Sequence, residues 1–311
     1  MSSHAENEAA PARGHDATVT RAGDVLQRLL AEPLAAGLYL VATPIGNLGD
    51  IGLRALSILA RADFIFCEDT RHSAKLLQHF AIHAQTRPFH EHNEDAQLER
   101  VAGLIEDGRS IAVISDAGTP LIADPGFKLV RACAERGIPV TAIPGACAVV
   151  AALAGSGLPT DQFFFAGFLP AKQAARRARL SDLKTIPGSL AFYESPQRTS
   201  DCLADIADVL GGGRTAVVAR ELTKLHESLV RGTAAELAQR FSGAEIKGEI
   251  VILVGPAVAS PASDEDIARH LAAALETMRL KDAAAAVADA LGVAKSRVYA
   301  IGLAAKRTGQ D

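Results

Sequence analysis

The residues best suited to chemistry are acids, glycines and prolines gathered into short loops. The fullest of these is Ser115-Asp116-Ala117-Gly118-Thr119-Pro120-Leu121-Ile122-Ala123-Asp124-Pro125-Gly126, directly after the apolar run 111–114. Asp116 and Asp124 supply carboxylates, Gly118 and Gly126 let the main chain approach a ligand closely, and the prolines stiffen the loop. Such a loop suits a polar, partly cationic small molecule. It equally suits a plain Gly/Pro-rich connection whose aspartates cap a helix. Four more loops share this character: Thr43-Pro44-Ile45-Gly46-Asn47-Leu48-Gly49-Asp50, Glu68-Asp69-Thr70-Arg71, Pro144-Gly145-Ala146 and Tyr193-Glu194-Ser195-Pro196. His79 and His83 have the i, i+4 spacing of a helical metal pair, but His83 falls past the expected helix end and lacks a third ligand, so no metal is expected.

Each loop follows a short apolar run that reads as a strand. Strands are expected at 38–42, 64–67, 111–114 and 140–143, with amphipathic helices at 51–62, from the 68–71 loop through Phe80, at 94–106, at 127–136 and after Pro144-Gly145. This alternation predicts a parallel sheet wrapped by helices, whose loops at the carboxyl ends of strands are where ligands bind. Beyond Gly157 the pattern changes. Strands are expected at 163–168, 190–193, 216–218 and 250–254, a further one at 227–231, and helices at 172–184, 198–209 and 234–241. The expected organisation is α/β: a mostly disordered lead-in at 1–36 with a possible short helix at 24–31, α/β domains at 37–157 and 158–257, and a linker with a helical module at 258–311. Gly292 divides that module into halves resembling a helix-turn-helix in outline. Loops from both α/β domains point to a cleft between them.

Composition narrows the function classes. The 311 residues are 49% hydrophobic and 22% charged, with a formal charge of −4, so a polyanion would have to be met by a local basic patch. Cys67, Cys133, Cys147 and Cys202 form no C-x-x-C pair and lie in apolar surroundings, as reduced core thiols do. No run reaches the roughly 18 apolar residues of a membrane span. The first 18 residues lack the apolar centre of a secretory signal, so a cytoplasmic protein is expected.

Taken together, Thr-Pro-Ile-Gly-Asn-Leu-Gly-Asp at 43–50, Glu-Asp-Thr-Arg at 68–71, the loop at 115–126, Phe-Tyr-Glu-Ser-Pro at 192–196, Ala-Arg-Glu-Leu-Thr-Lys at 219–224 and Lys-Gly-Glu at 247–249 resemble the tetrapyrrole-methylase-like, class III S-adenosylmethionine methyltransferases. Within that family the chain resembles the branch that methylates a cytidine ribose 2′-hydroxyl in small-subunit (16S) rRNA. Relatives acting on tetrapyrrole rings carry Gly-x-Gly-x-Gly-Asp after the first strand; here only Gly46 and Asp50 remain, which argues against a ring substrate. Two rivals are a same-fold methyltransferase acting on a tetrapyrrole or protein side chain, and a non-catalytic RNA-binding assembly factor.

The resemblance implies two α/β domains with S-adenosylmethionine in the cleft between them, and a homodimer. It implies that Asp116, Ala117, Gly118 and Thr119, with Pro144, Gly145 and Ala146, flank the methionine part of the cofactor, and that Pro44 and Pro120 also bind it. Tyr193, Glu194, Ala219, Arg220, Gly248 and Glu249 are then expected around the adenosine. Methylating a ribose hydroxyl calls for a base or polarising group, and Glu68 and Asp69 are the candidates, with Arg71 to hold a phosphate. An alternative is that both acids face the sulfonium or cap the next helix; Glu194 and Glu221 are held in reserve. For the expected partner, small-subunit rRNA within an assembled or nearly assembled subunit, Lys172, Arg176, Arg177 and Arg179 offer an RNA-docking edge, since segment 172–184 carries five positive charges against one negative. His90-Glu91-His92-Asn93 and a basic tail surface (Arg279, Lys281, Lys295, Arg297, Lys306, Arg307) are further candidates for RNA contact.

Overall fold

The computed structural model describes residues 15–90, 94–257 and 263–308. Five strands, β1 (Gly37–Val41), β2 (Phe64–Cys67), β3 (Gln85–Pro88), β4 (Ser110–Ile114) and β5 (Val140–Ile143), form an all-parallel sheet in the order β3-β2-β4-β1-β5. Alternate residues feed opposite faces. Leu38, Phe66, Ile111 and Val113 pack with Val101 and Leu129, while Val41, Ile65, Cys67 and Ile114 pack with Ala55, Ile58 and Leu59. The helices that carry those partners are α2 (Leu53–Arg61), α4 (Glu94–Glu106) and α5 (Phe127–Glu135), and α3 (Thr70–His79) follows β2. Because every strand runs the same way, the loops after β1, β2, β4 and β5 open on one edge.

Three departures from the sequence expectation have local causes. β3 was not foreseen, because Gln-Thr-Arg-Pro has no apolar run; it is an edge strand, the position that tolerates polar residues and proline. The described part of the lead-in is largely helical: α1 (His15–Ala31) takes up most of 15–36, with Ala22, Val25, Leu26 and Leu29 half-buried at i, i+3, i+4 and i+7, and packs on α2. Residues 1–14 lie outside the described residues. Finally, 37–157 and 158–257 carry one sheet each yet fold as a single compact unit ending at Pro256.

The second sheet has the order β6-β7-β10-β8-β9, from β6 (Phe163–Phe168), β7 (Ser189–Glu194), β8 (Thr215–Arg220), β9 (Ser228–Thr233) and β10 (Ile250–Val254). β6 and β7 are parallel and the other pairings antiparallel. β10, Ile-Val-Ile-Leu-Val, is buried along its whole length and sits at the centre. What joins the halves is α6 (Ala148–Ser156), which leaves the first sheet and lies on the second. Its Val149, Ala152 and Leu153 share one apolar cluster with Ile45 of the β1 loop and with Ala191, Val217, Ala219, Val251 and Leu253. Helices α7 (Gln173–Leu183), α8 (Thr199–Ile206) and α9 (Ala234–Phe241) complete this half.

Arg176 does not belong to an RNA-docking edge. Its side chain is 4% exposed and its Nε donates to Asp205 Oδ2 at 2.7 Å. Arg177 bonds to Asp205 at 2.9 Å and to Asp208 at 3.1 Å. Burial opposes ionisation of Asp205, but hydrogen bonds from Arg177, Arg176 and Gln173 outweigh it and hold the carboxyl below its usual range. On α7 and at its N-cap, an exposed Lys172 and a half-buried Arg179 are what is left of the candidate edge.

The second compact unit begins at Ala257 and contains α10 (Asp264–Leu275), α11 (Leu280–Leu291) and α12 (Lys295–Thr308) around Ile267, Leu271, Ala284, Val287 and Val298. Arg297, expected on a basic surface, is held by Asp264 at 2.7 Å. The side chains of Lys306 and Arg307, and residues 91–93, lie outside the described residues.

Candidate active site

The site is built where the strand-end loops of the first sheet meet β7 and β10 of the second. A cavity of about 410 Å³ is lined by Asp116, Ala117, Gly118, Thr119 and Asp124 on one side and by Tyr193, Glu194, Gly248, Glu249 and Val251 on the other. The β1 and β4 loops are tied by a pair of main-chain bonds, Thr43 N–H to Gly118 O at 2.9 Å and Gly118 N–H to Thr43 O at 3.1 Å. Thr119 Oγ1 donates to Ala146 O at 3.0 Å, linking the third loop. Gly118 has φ +85°, which L side chains adopt only with strain. Leu121 and Ala123 carry positive φ in the same loop, as do Glu221 and Thr223 in the turn behind Gly248. Backbone strain of this kind persists only where surroundings over-determine it.

On the far wall, Glu194 is buried. One carboxylate oxygen accepts from Ser195 N–H at 2.7 Å and pairs with Arg198 at 2.5 Å. The other, Oε2, is buried without a hydrogen-bond partner among the described residues. That oxygen is closed off from the cavity: the Glu194 side chain is fully buried, and burial and then this carboxylate push the neighbouring Cys202 thiol up. Tyr193 packs edge-on to Phe165 and Phe168, and burial, followed by nearby Cys147, pushes its phenol up to about 12. Gly248 and Glu249 are positioned by Glu221, which accepts from Glu249 N–H at 3.0 Å and from Lys224 Nζ at 2.9 Å.

Three carboxylates, Glu68, Asp116 and Asp124, bear on one another electrostatically. Burial first, then the charges of Glu68 and Asp116, push Asp124 up to about 6 against an opposing hydrogen bond from Ser115. Glu68 is raised as well, by burial and then by Asp116. Asp69 goes the other way: hydrogen bonds from Arg71 hold it down to about 2. It is the N-cap of α3, accepting from Arg71 N–H at 2.8 Å, and Arg71 folds back to it at 3.0 Å. Asp69 therefore takes the capping role that stood as the alternative, and it is a weak base.

Of the other expected residues, Pro44 lines a second cavity rather than the first, Arg220 lines a third and donates to Lys247 O at 2.7 Å, and Ala219 is fully buried beneath the wall. Pro120, Pro144, Gly145 and Ala146 support the loops without lining the cavity; a Cβ on Gly145 would lie 2.7 Å from that of Ala42. The cofactor contacts expected from the resemblance left out Asp124, Cys147, Phe168, Ser195 and Ile250, which line the wall. Asp124 was readable from its place in the acidic loop; the others carry no sequence signal beyond adjacency to a strand end.

Comparison with known proteins gives the same grouping. The family described as Tetrapyrrole (Corrin/Porphyrin) Methylases matches residues 37–238, and the RsmI C-terminal HTH domain matches 261–310. The chain is 47% identical over 270 residues to a Mesorhizobium japonicum protein named Ribosomal RNA small subunit methyltransferase I, covering 86% of this chain and 92% of that one. It is 46% identical to the Pseudomonas aeruginosa protein of the same name, covering 85% and 96%. A solved cobalt precorrin-4 methyltransferase superposes with a TM-score of 0.54 at 18% identity, over 70% of this chain and 94% of that one, a likeness of fold. By its fold, its family match over well more than half of its length and its closely similar relatives, the chain belongs to the tetrapyrrole methylase family, alongside the proteins named ribosomal RNA small subunit methyltransferase I.

Proposed function

We propose that the chain transfers the methyl group of S-adenosylmethionine to the ribose 2′-hydroxyl of a cytidine in small-subunit rRNA, within an assembled or nearly assembled subunit, in the cytoplasm and as a homodimer. The observation that carries this reading is the cavity between the two sheets, acidic on one wall and lined by Tyr193, Phe168 and Val251 on the other, in a chain so similar to rRNA methyltransferases. The exposed Phe163 and Phe164 on edge strand β6 support pairing of two copies.

The residues fit the cofactor. Asp116 and Asp124 suit its cationic sulfonium and amino groups, main-chain N–H groups of the 117–119 loop suit its carboxylate, and the Tyr193, Phe168 and Val251 surfaces suit its adenine. When bound, S-adenosylmethionine supplies an electrophilic methyl that passes to the ribose oxygen while the C–S electrons stay on sulfur. Of the two candidate bases, Glu68 lines neither cavity but bears on Asp116 and Asp124, and its raised basicity suits it better than the depressed Asp69 to accept the hydroxyl proton. The tied loops hold the walls fixed, so positioning supplies much of the rate.

The test is transfer of isotopically labelled methyl to purified small subunits, followed by nucleoside analysis. Label is expected in 2′-O-methylcytidine; label on a base, on protein, or nowhere overturns the reading.

The acidic wall also sets a pH dependence. A cation favours ionised Asp124, whereas burial and its neighbours favour the protonated form up to about pH 6. Cofactor affinity should therefore fall as the pH drops through about 6, with proton release on binding below it. Calorimetry in buffers of different ionisation enthalpy measures both, and Asp124→Asn should remove the proton release.

A further inference from the structure

We propose that the second cavity, of about 250 Å³, seats a single RNA nucleotide whose ribose meets the cofactor cavity at Asp116. This rests on the methyl-transfer reading above. Asp116 is the one residue among the described residues that lines both cavities. A methyl acceptor must lie within bonding reach of the donor, so a nucleotide in the second cavity reaches the first across that shared wall.

The cavity has the make-up such a ligand needs. Pro44 and Leu48 of the β1 loop offer apolar surface to a flat base, and Leu76 of α3 adds more. Ser73, 3% exposed, closes the cavity floor, its hydroxyl turned to the Cys67 thiol beneath it. Lys75 lines the same cavity, is exposed, and makes no ion pair among the described residues, which suits it to a phosphate. The volume is below the roughly 300–1,000 Å³ of pockets for larger organic ligands. It suits one base lifted out of its strand, the way enzymes that modify nucleotides in folded nucleic acid reach their targets.

Two variants of the full chain test this on purified small subunits. Leu76→Trp places an indole in the cavity and should raise the KM for subunits at least about tenfold, the effect of overfilling a packed site. Lys75→Ala should also raise that KM, and should flatten the slope of log affinity against log salt by about 0.7, one phosphate contact on single-stranded RNA. Lys75→Arg should restore the slope. Both variants should bind S-adenosylhomocysteine as wild type does, because neither residue lines the cofactor cavity. Unchanged KM in a folded Leu76→Trp chain, or an unchanged KM and salt slope in Lys75→Ala, overturns the nucleotide seat. If Leu76→Trp does not fold, Lys75→Ala decides. Failure of the wild-type chain to methylate subunits at all is a separate result, and overturns the reading beneath it.

Discussion

A Gly118→Val chain is expected to bind S-adenosylhomocysteine about ten- to a hundredfold more weakly than wild type, and to lose roughly 1–3 kcal/mol of stability. Two effects add. At φ +85° a β-branched residue is a conformational outlier, and a Cβ there would sit 3.1 Å from Ile45 Cγ2 and 3.4 Å from Ala146 O. The cheapest relief is rotation of the peptide, which breaks the reciprocal bonds to Thr43 and moves the wall formed by 116–119. Calorimetry measures the affinity and urea unfolding the stability. If stability falls while affinity holds, this loop is not the cofactor's seat.

Arg176→Ala should be among the most destabilising single changes in this half, costing on the order of 3–5 kcal/mol, because it strands a buried carboxylate. Asp205 would keep Arg177 and Gln173, at 2.9 and 3.3 Å, which places the effect toward the lower end of that range. Denaturant midpoints give the number. Lys172→Ala, at an exposed position, should move stability by less than about 0.5 kcal/mol. A variant that removed Arg176, Arg177 and Arg179 together would report unfolding rather than RNA contact.

The same pair shows what a sequence exposes and what it hides. Strands at 64–67, 140–143, 163–168 and 250–254 were legible to the residue, since each is an apolar run closed by glycine, proline or charge. The strand-end loops followed from them, and with them the cavity wall at 116–119 and 193–194, whereas 248–249, ahead of β10, came from the family resemblance. The burial of Arg176 was not legible, because its partner lies 29 positions away and a count of charges cannot separate a solvated arginine from a paired one. β3 was hidden for a related reason: an edge strand takes its stability from Phe64, Ile65, Phe66 and Cys67 beside it, not from its own side chains. Asp69 was readable as an acid, but whether it caps or catalyses depends on where Arg71 points.

The apolar cluster that α6 shares with the β1 loop limits the ways in which spent cofactor could be traded for fresh. Swinging one sheet away from the other would expose Ile45, Val149 and Leu153, each less than a tenth accessible, at a combined cost of roughly 5–9 kcal/mol. Clamshell opening is thus a rare event, and exchange has to run through segments that move without breaking that seam. The 119–126 loop is such a segment. Ile122 and Ala123 are exposed on the cavity rim, and its positive-φ residues store strain that displacement relieves. Cofactor exchange is then expected to involve this loop rather than the rotation of a domain, with Pro120 and Pro125 limiting how far it bends.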